Sequence, residues 1–200
     1  MLEEFPDART SEIEPGWEER WREFHRPVRV GPFWIGPPWD EPLPAAIAVV
    51  VDPGRAFGTG AHATTRLCLE LLLEQPAGSV LDVGCGSGVL AIAAAKLGHG
   101  PVLAVDVDEA AVAAARANAA ANGVALEVRQ LDALAGALPA ADLTLANIAF
   151  AAVEELGEKV AGSRVVTSGY LASDRPRLAG FRCLERRQVD GWAADLHERR

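Results

Sequence analysis

Val80-Leu81-Asp82-Val83-Gly84-Cys85-Gly86-Ser87-Gly88 runs from a short apolar stretch into three alternating glycines, and Val89-Leu90-Ala91-Ile92 follows at once. The stretch Ser79 to Val83 reads as a buried strand. Gly88 to Leu97 reads as a helix stopped by Gly98. So tight a turn from strand to helix calls for glycine, which accepts positive φ and lets a ligand approach the backbone where a Cβ would clash. The helix start also leaves backbone N–H groups without partners. The loop is therefore a candidate nucleoside-cofactor site, with a plain strand-to-helix turn as the alternative.

Outward from this loop the chain alternates. Ile47 to Val51 reads as a strand. Asp52 to Thr64 is a glycine-containing loop, and Thr64 or Thr65 can cap a helix running to about Leu73. Val102 to Val105 is the next strand, and Glu109 to Asn122 a helix with Gly123 as its stop. Leu126 to Val128, Leu143 to Ala146 and Arg164 to Ser168 are further strands, the last two separated by a helix around Phe150 to Val160. A short helix near Asp174 to Leu178 leads to a strand pair, Phe181 to Val189 and Trp192 to Leu196. Strand alternating with helix predicts an α/β fold: a mostly parallel, doubly wound sheet with an antiparallel strand at its C-terminal end. Such sheets bind ligands at the carboxyl ends of their strands, where the strand order reverses.

Up to about Pro44 the texture differs, being rich in Trp, Pro and Glu. Trp17, Trp21 and Phe24 place an aromatic stripe on a short helix. Val28 to Val30, Gly31-Pro32 and Phe33 to Ile35 read as strand, turn and strand. The expected division is a helix and β-hairpin connector over 1–46 and a catalytic domain over 47–200.

Bulk properties narrow the function classes. The 200 residues are half hydrophobic, enough for one full core, and the formal net charge is −9. That balance argues against direct nucleic-acid binding, which needs a basic face, and is compatible with a basic protein substrate. No apolar run is long enough to span a membrane. The polar, acidic start MLEEFPDART is not a secretory signal. Cys68, Cys85 and Cys183 match no disulfide or zinc spacing, and His25, His62, His99 and His197 are scattered, so a cytoplasmic setting without a metal is expected.

Asp106 ends the strand after the glycine loop, twenty-two residues beyond Gly84. An acid there can accept hydrogen bonds from both hydroxyls of a ribose. Asp108 lies past the strand end and is the weaker candidate. Read from Gly84, the dinucleotide pattern G-x-G-x-x-G fails at Val89; read from Gly86, its looser form is met by Ala91. The loop alone thus leaves a nicotinamide dehydrogenase open. The loop carries no basic residue, as suits S-adenosyl-L-methionine (SAM), which has no phosphate and a cationic sulfonium. Asp132, just after the third strand of the domain, could accept from an adenine amino group or could simply form a turn.

The segment Asp52-Pro53-Gly54-Arg55-Ala56-Phe57-Gly58-Thr59-Gly60-Ala61-His62-Ala63-Thr64-Thr65 is the specific one. It resembles the pattern D-P-G-x-A-F-G-T-G-x-H-x-T-T of the PrmA-type methyltransferases, which modify large-subunit ribosomal protein eleven. Val105 to Asp108, Leu145-Ala146-Asn147-Ile148, Thr167 to Leu171 and Trp192 also fall where that family has them. The resemblance implies a class I, Rossmann-like SAM-dependent methyltransferase that modifies protein amino groups, a lysine side chain and an α-amine included. It implies cofactor contacts from Thr65, Gly84, Asp106 and Asn147, with Gly86 in the same loop. Asn147, at a strand's carboxyl end, could orient an incoming amine; a turn-forming asparagine is the alternative. Phe57 could wall a lysine channel and His62 could accept a proton near neutral pH, against a packing role for each.

Full-length relatives of this type begin with a small substrate-gripping domain, and only about sixteen residues precede Trp17 here. The expectation is a catalytic domain without that part. Another protein or a small amine is then the rival substrate; a related family methylates lysines of the electron-transfer flavoprotein β-subunit. A cofactor-binding domain without activity is a third reading.

Overall fold

The structure, a computed structural model, describes residues 25–53 and 60–200. The aromatic stripe expected on Trp17, Trp21 and Phe24, and the side chain of Phe57, lie outside the described residues. Two sheets are built. In the smaller one, β1 (Val28–Val30) and β2 (Phe33–Gly36) form the expected antiparallel hairpin, and β3 (Ile47–Val50) adds to β2 in parallel, with Phe33 opposite Ile47. Ile47–Val50 thus belongs to the hairpin's sheet and not to the main parallel sheet. On its far edge β3 is met by side chains: Val50 donates to Asn122 Oδ1 at 2.9 Å, and Asn122 Nδ2 donates to Val50 O at 2.6 Å.

The larger sheet has seven strands: β4 (Val80–Val83), β5 (Val102–Asp106), β6 (Glu127–Gln130), β7 (Leu143–Asn147), β8 (Arg164–Leu171), β9 (Phe181–Val189) and β10 (Trp192–Arg199). Their order is β6-β5-β4-β7-β8-β10-β9. Neighbours from β6 to β8 are parallel, and β10 runs antiparallel to both β8 and β9. The order reverses between β4 and β7, so the crevice expected of such a sheet opens at their carboxyl ends. This is the class I methyltransferase architecture that the resemblance implies.

Four helices are described: α1 (Ala63–Leu72), α2 (Val89–Lys96), α3 (Glu109–Ala121) and α4 (Phe150–Leu156). One hydrophobic cluster fills the face under α1, α2 and α3 and takes in Phe33, Ile35 and Val49 of the small sheet. The other face carries α4, with Leu138, Tyr170 and Leu178 packed beside Val153 and Leu156. Among the described residues no helix is long and apolar enough to cross a membrane.

Two local expectations are corrected. The cap of α1 is His62, whose Nδ1 accepts from the Thr64 N–H, so Thr64 and Thr65 sit inside the first turn. No helix forms near Asp174 to Leu178. Pro176 cannot donate within a helix, and the Arg186 guanidinium draws the Ala172 and Asp174 carbonyls outward at 3.2 and 2.6 Å.

Candidate active site

Register brings the site together. Val83 lies opposite Val105 on one side and Ala146 on the other. Gly84, Asp106 and Asn147 therefore leave the sheet at one level. They surround a cleft of about 520 Å³ whose lining also includes Thr65, Asp82 and Ile148.

The glycine loop forms one wall. Gly84, Gly86 and Gly88 have φ of +67, +53 and +81°, a region that disfavours any residue with a Cβ. A Cβ on Gly84 would stand 2.4 Å from Ile148 Cγ2. Gly84 and Cys85 both donate to the Val105 carbonyl, at 2.9 and 3.0 Å, which folds the loop back over β5. Asp106 holds it there: its Oδ2 accepts from the Gly86 N–H at 2.9 Å and its Oδ1 from the Asp108 N–H at 3.0 Å. An ionised carboxylate has about four acceptor positions, so this leaves capacity for ribose hydroxyls.

Beneath the loop lies Asp82, 1 % exposed. It accepts from the Ala91 N–H at 3.1 Å. Burial pushes its carboxyl up to about 7; the Ala91 N–H pulls the other way, and the nearby Asp106 charge adds to the rise. Burial likewise pushes the Cys85 thiol up, with Asp82 and Asp106 adding to it, so this cysteine stays protonated. Asp82 is a cleft-lining residue that the sequence reading does not single out. The signal was an acid inside an otherwise apolar strand.

The opposite wall comes from β7 and α1. Asn147 Nδ2 points at Thr65 Oγ1 across 3.4 Å, joining residues far apart in the chain. Thr65 is buried, and Asn147 half-buried. From the first turn of α1 the line continues to His62, whose Nδ1 lies 2.7 Å from Thr64 Oγ1 and whose ring packs edge-on against Trp192 at 4.8 Å. Sequence reasoning noted Trp192 without this contact, which depends on the fold bringing the start of β10 beside α1. Asp132 is exposed and holds its own turn, accepting from the Leu134 N–H at 2.9 Å; it is not among the residues lining the cleft. Leu131 beside it donates to the Asp106 carbonyl, which keeps this turn next to the end of β5.

The lining includes three carboxylates, Asp82, Asp106 and Asp108, and no lysine, arginine or histidine among the described residues. Such a cleft suits a cationic ligand without phosphate. A pyrophosphate would meet the like charge of Asp106 and Asp108 and drive Asp82 further toward its neutral form.

Comparison with known proteins agrees with this geometry. The family model described as ribosomal protein L11 methyltransferase (PrmA) matches residues 4–191. A ribosomal protein L11 methyltransferase of Symbiobacterium thermophilum is 40 % identical over 199 residues, covering 92 % of this chain and 66 % of its own length. That of Chromobacterium violaceum is 44 % identical over 179 residues, covering 84 % and 59 %. The chain thus spans about two thirds or less of these relatives. The crystal structure of a ribosomal protein L11 methylase from Lactobacillus delbrueckii subsp. bulgaricus superposes with a TM-score of 0.77 at 29 % identity, covering 88 % of this chain and all of that one. With the signature loop, the strand order and the acidic cleft in agreement, the chain belongs to the ribosomal protein L11 methyltransferase (PrmA) family.

Proposed function

We propose that this chain is a SAM-dependent protein N-methyltransferase whose substrate is a basic ribosomal protein, the one its relatives' names give, modified on lysine side chains and on the α-amine. The observation that carries this reading is the cleft itself, acidic on the cofactor side and closed on the other by the Thr65–Asn147 pair. A ribosomal substrate implies a cytoplasmic setting.

S-adenosylmethionine supplies an electrophilic methyl group on a cationic sulfur. The chain's residues do the rest. Asp106 accepts from the ribose hydroxyls while it holds the glycine loop. Asp82 would face the ammonium of the zwitterionic amino-acid part, which would partner its buried carboxylate. Asp132 meets the adenine amino group from the rim. Gly84 and Gly86 let the cofactor lie against the backbone, and Thr65 stands where its hydroxyl can reach the carboxylate. The amine arrives between Asn147 and His62. It must be neutral and in line with the methyl group, and alignment is the larger part of the acceleration. Asn147 accepts from the amine through Oδ1 and fixes its lone pair. A role for His62 as proton acceptor requires its Nδ1 to give up the cap of α1, or its other ring nitrogen to do the work.

Labelled methyl transfer to purified ribosomal protein L11, beside a whole-cell extract, tests the reading. Labelling of the pure protein is expected. Labelling of some other band alone would move the substrate to another protein or amine, and bound SAM with no labelling at all would leave only a binding domain. A thermal-shift comparison of SAM with NAD checks the cofactor, and a shift with NAD alone would overturn it.

A further inference from the structure

Asn118 on α3 and Asn122 at its C-terminal cap lie one helical turn apart, and they reach the end of β3 and the segment that leaves it. They do different things there. Asn122 addresses Val50 alone within the small sheet, through both ends of its carboxamide. Asn118 spans two separate segments. Its Oδ1 accepts from the Asp52 N–H at 3.1 Å, and its Nδ2 donates to the Ser87 carbonyl at 2.9 Å. Asn118 is 4 % exposed and Ser87 1 %, so the bond between them is shut off from water, while the bond from the exposed Asp52 is part-buried.

Ser87 sits between Gly86 and Gly88, both at positive φ. Glycines have few steric walls of their own, so the pose of this loop depends on what grips it from outside. Asp106 grips it at the Gly86 N–H. At the other end α3 leans directly on it: a Cβ on Gly88 would stand 3.1 Å from that of Ala115, and the Asn118 carboxamide holds the Ser87 carbonyl one turn further along. Asn118 itself is not among the residues that line the cleft.

We propose that Asn118 is a positioning residue that sets the glycine loop for the cofactor and ties that setting, through Asp52, to the small sheet. The part concerning the cofactor rests on the reading of the cleft as a SAM site. Asn118 touches no ligand; it acts by denying the loop alternative poses.

Asn118→Asp and Asn122→Ala in the full chain separate this role from general stabilisation. The aspartate keeps an oxygen for the Asp52 N–H and loses the donor to Ser87. The alanine releases Val50 and one of two donors to the Asn118 carbonyl, which keeps the Asn122 backbone N–H at 3.0 Å, and it leaves the Asn118–Ser87 bond in place. SAM and S-adenosylhomocysteine are titrated calorimetrically into each protein, and amide exchange over residues 84–88 is followed without ligand. Asn118→Asp is expected to weaken both ligands about tenfold and to speed loop exchange. Asn122→Ala is expected to lower Tm yet bind within about twofold of the parent, with loop exchange unchanged. Should Asn118→Asp not fold, Asn118→Ser, which shortens the reach to both partners, supplies the same comparison. Parental binding and loop exchange in the Asn118 variant, or equal losses in the Asn122 variant, would overturn the proposal. A parent chain that binds neither ligand would sink the cofactor reading, and the exchange comparison would still decide whether Asn118 sets the loop.

Discussion

The two walls of the cleft are built on opposite plans. The wall from β4 to β6 is made of backbone: positive-φ glycines, N–H groups turned back onto the Val105 carbonyl, and an aspartate that holds the loop it faces. Its contacts join residues within about one strand-helix-strand unit. The wall from β7 to β10 is made of side chains drawn from distant segments. Thr65 meets Asn147, and behind this pair, outside the residues that line the cleft, His62 meets Trp192. Beneath them runs a buried polar network: Tyr170 Oη donates to Asp195 Oδ2 at 2.9 Å, Arg186 pairs with the same oxygen at 2.9 Å, and Thr167 Oγ1 lies 2.7 Å from Tyr170 Oη and 3.0 Å from His197 Nε2. The first plan suits a ligand of constant shape, since a backbone cradle leaves little to vary. Under the proposed function, the second would let substrate choice change by side-chain replacement while the glycine wall stays as it is.

The comparison breaks most visibly at the buried network. Asp195 is 2 % exposed and Arg186 15 % at its side chain. Asp195→Ala takes the carboxylate from that guanidinium, which keeps the Ala172 and Asp174 carbonyls, and from the Tyr170 hydroxyl, which keeps Thr167; about 3 kcal/mol of stability is expected to be lost in a urea titration. If the wall is structurally separate, the isolated loss leaves the SAM affinity of the folded fraction intact.

Asn147→Ala attacks the same wall at its functional end. Methyl transfer is expected to fall about a hundredfold through lost alignment, with SAM affinity changed less than about tenfold. Measured separately, the two numbers show whether Asn147 serves the amine or the cofactor, and unchanged turnover would remove it from the mechanism.

Asp82→Asn probes the other wall by pH. The folded chain holds this proton more tightly than an unfolded one, because its carboxyl rises from 3.8 to about 7. Its stabilising contribution is therefore complete below 3.8 and is lost as the pH climbs through 7. The variant keeps an oxygen for the Ala91 N–H and has no charge to bury. Thermal melts without ligand are expected to show a shallower loss between pH 5 and 8 than the parent, about 1 kcal/mol or more in its favour at pH 8, together with weaker SAM binding. Identical profiles would mean that Asp82 is not the titrating group.

The smallest expected effect returns to the network. Burial pulls the His197 imidazole below its ordinary value of 6.5; Asp195 opposes this and Arg186 adds to it. The folded state then favours the neutral ring, and stability falls as the pH drops below 6.5. His197→Gln is expected to flatten that slope by a few tenths of a kcal/mol to about 1, seen in melts from pH 7 to 5.

How much of this was legible follows the same division. The glycine loop, Asp106 and the alternation of strand and helix are local, and their residues announce the conformations they need. The signature loop ending at Thr65 pointed to the family before any geometry was known. The capping of α1 by His62 was not legible, because two adjacent threonines offered better caps and a histidine acceptor depends on the ring's placement. The missing helix near Asp174 to Leu178 depended on Arg186, which comes later in the chain. Ile47–Val50 was readable as a strand but not as a partner of β2, since parallel pairing leaves no turn between the two to announce it.

The sequence by itself determined the doubly wound sheet, the glycine cradle and the acid that ends the next strand, because each rests on backbone preference or on spacing within one βαβ unit. Only the tertiary structure decided that Asp82 is buried beneath the loop, that Thr65 and Asn147 face each other, and that Asn118 ties the cradle to the small sheet. Those contacts depend on which strands lie side by side, and that is set by the packing of the whole chain.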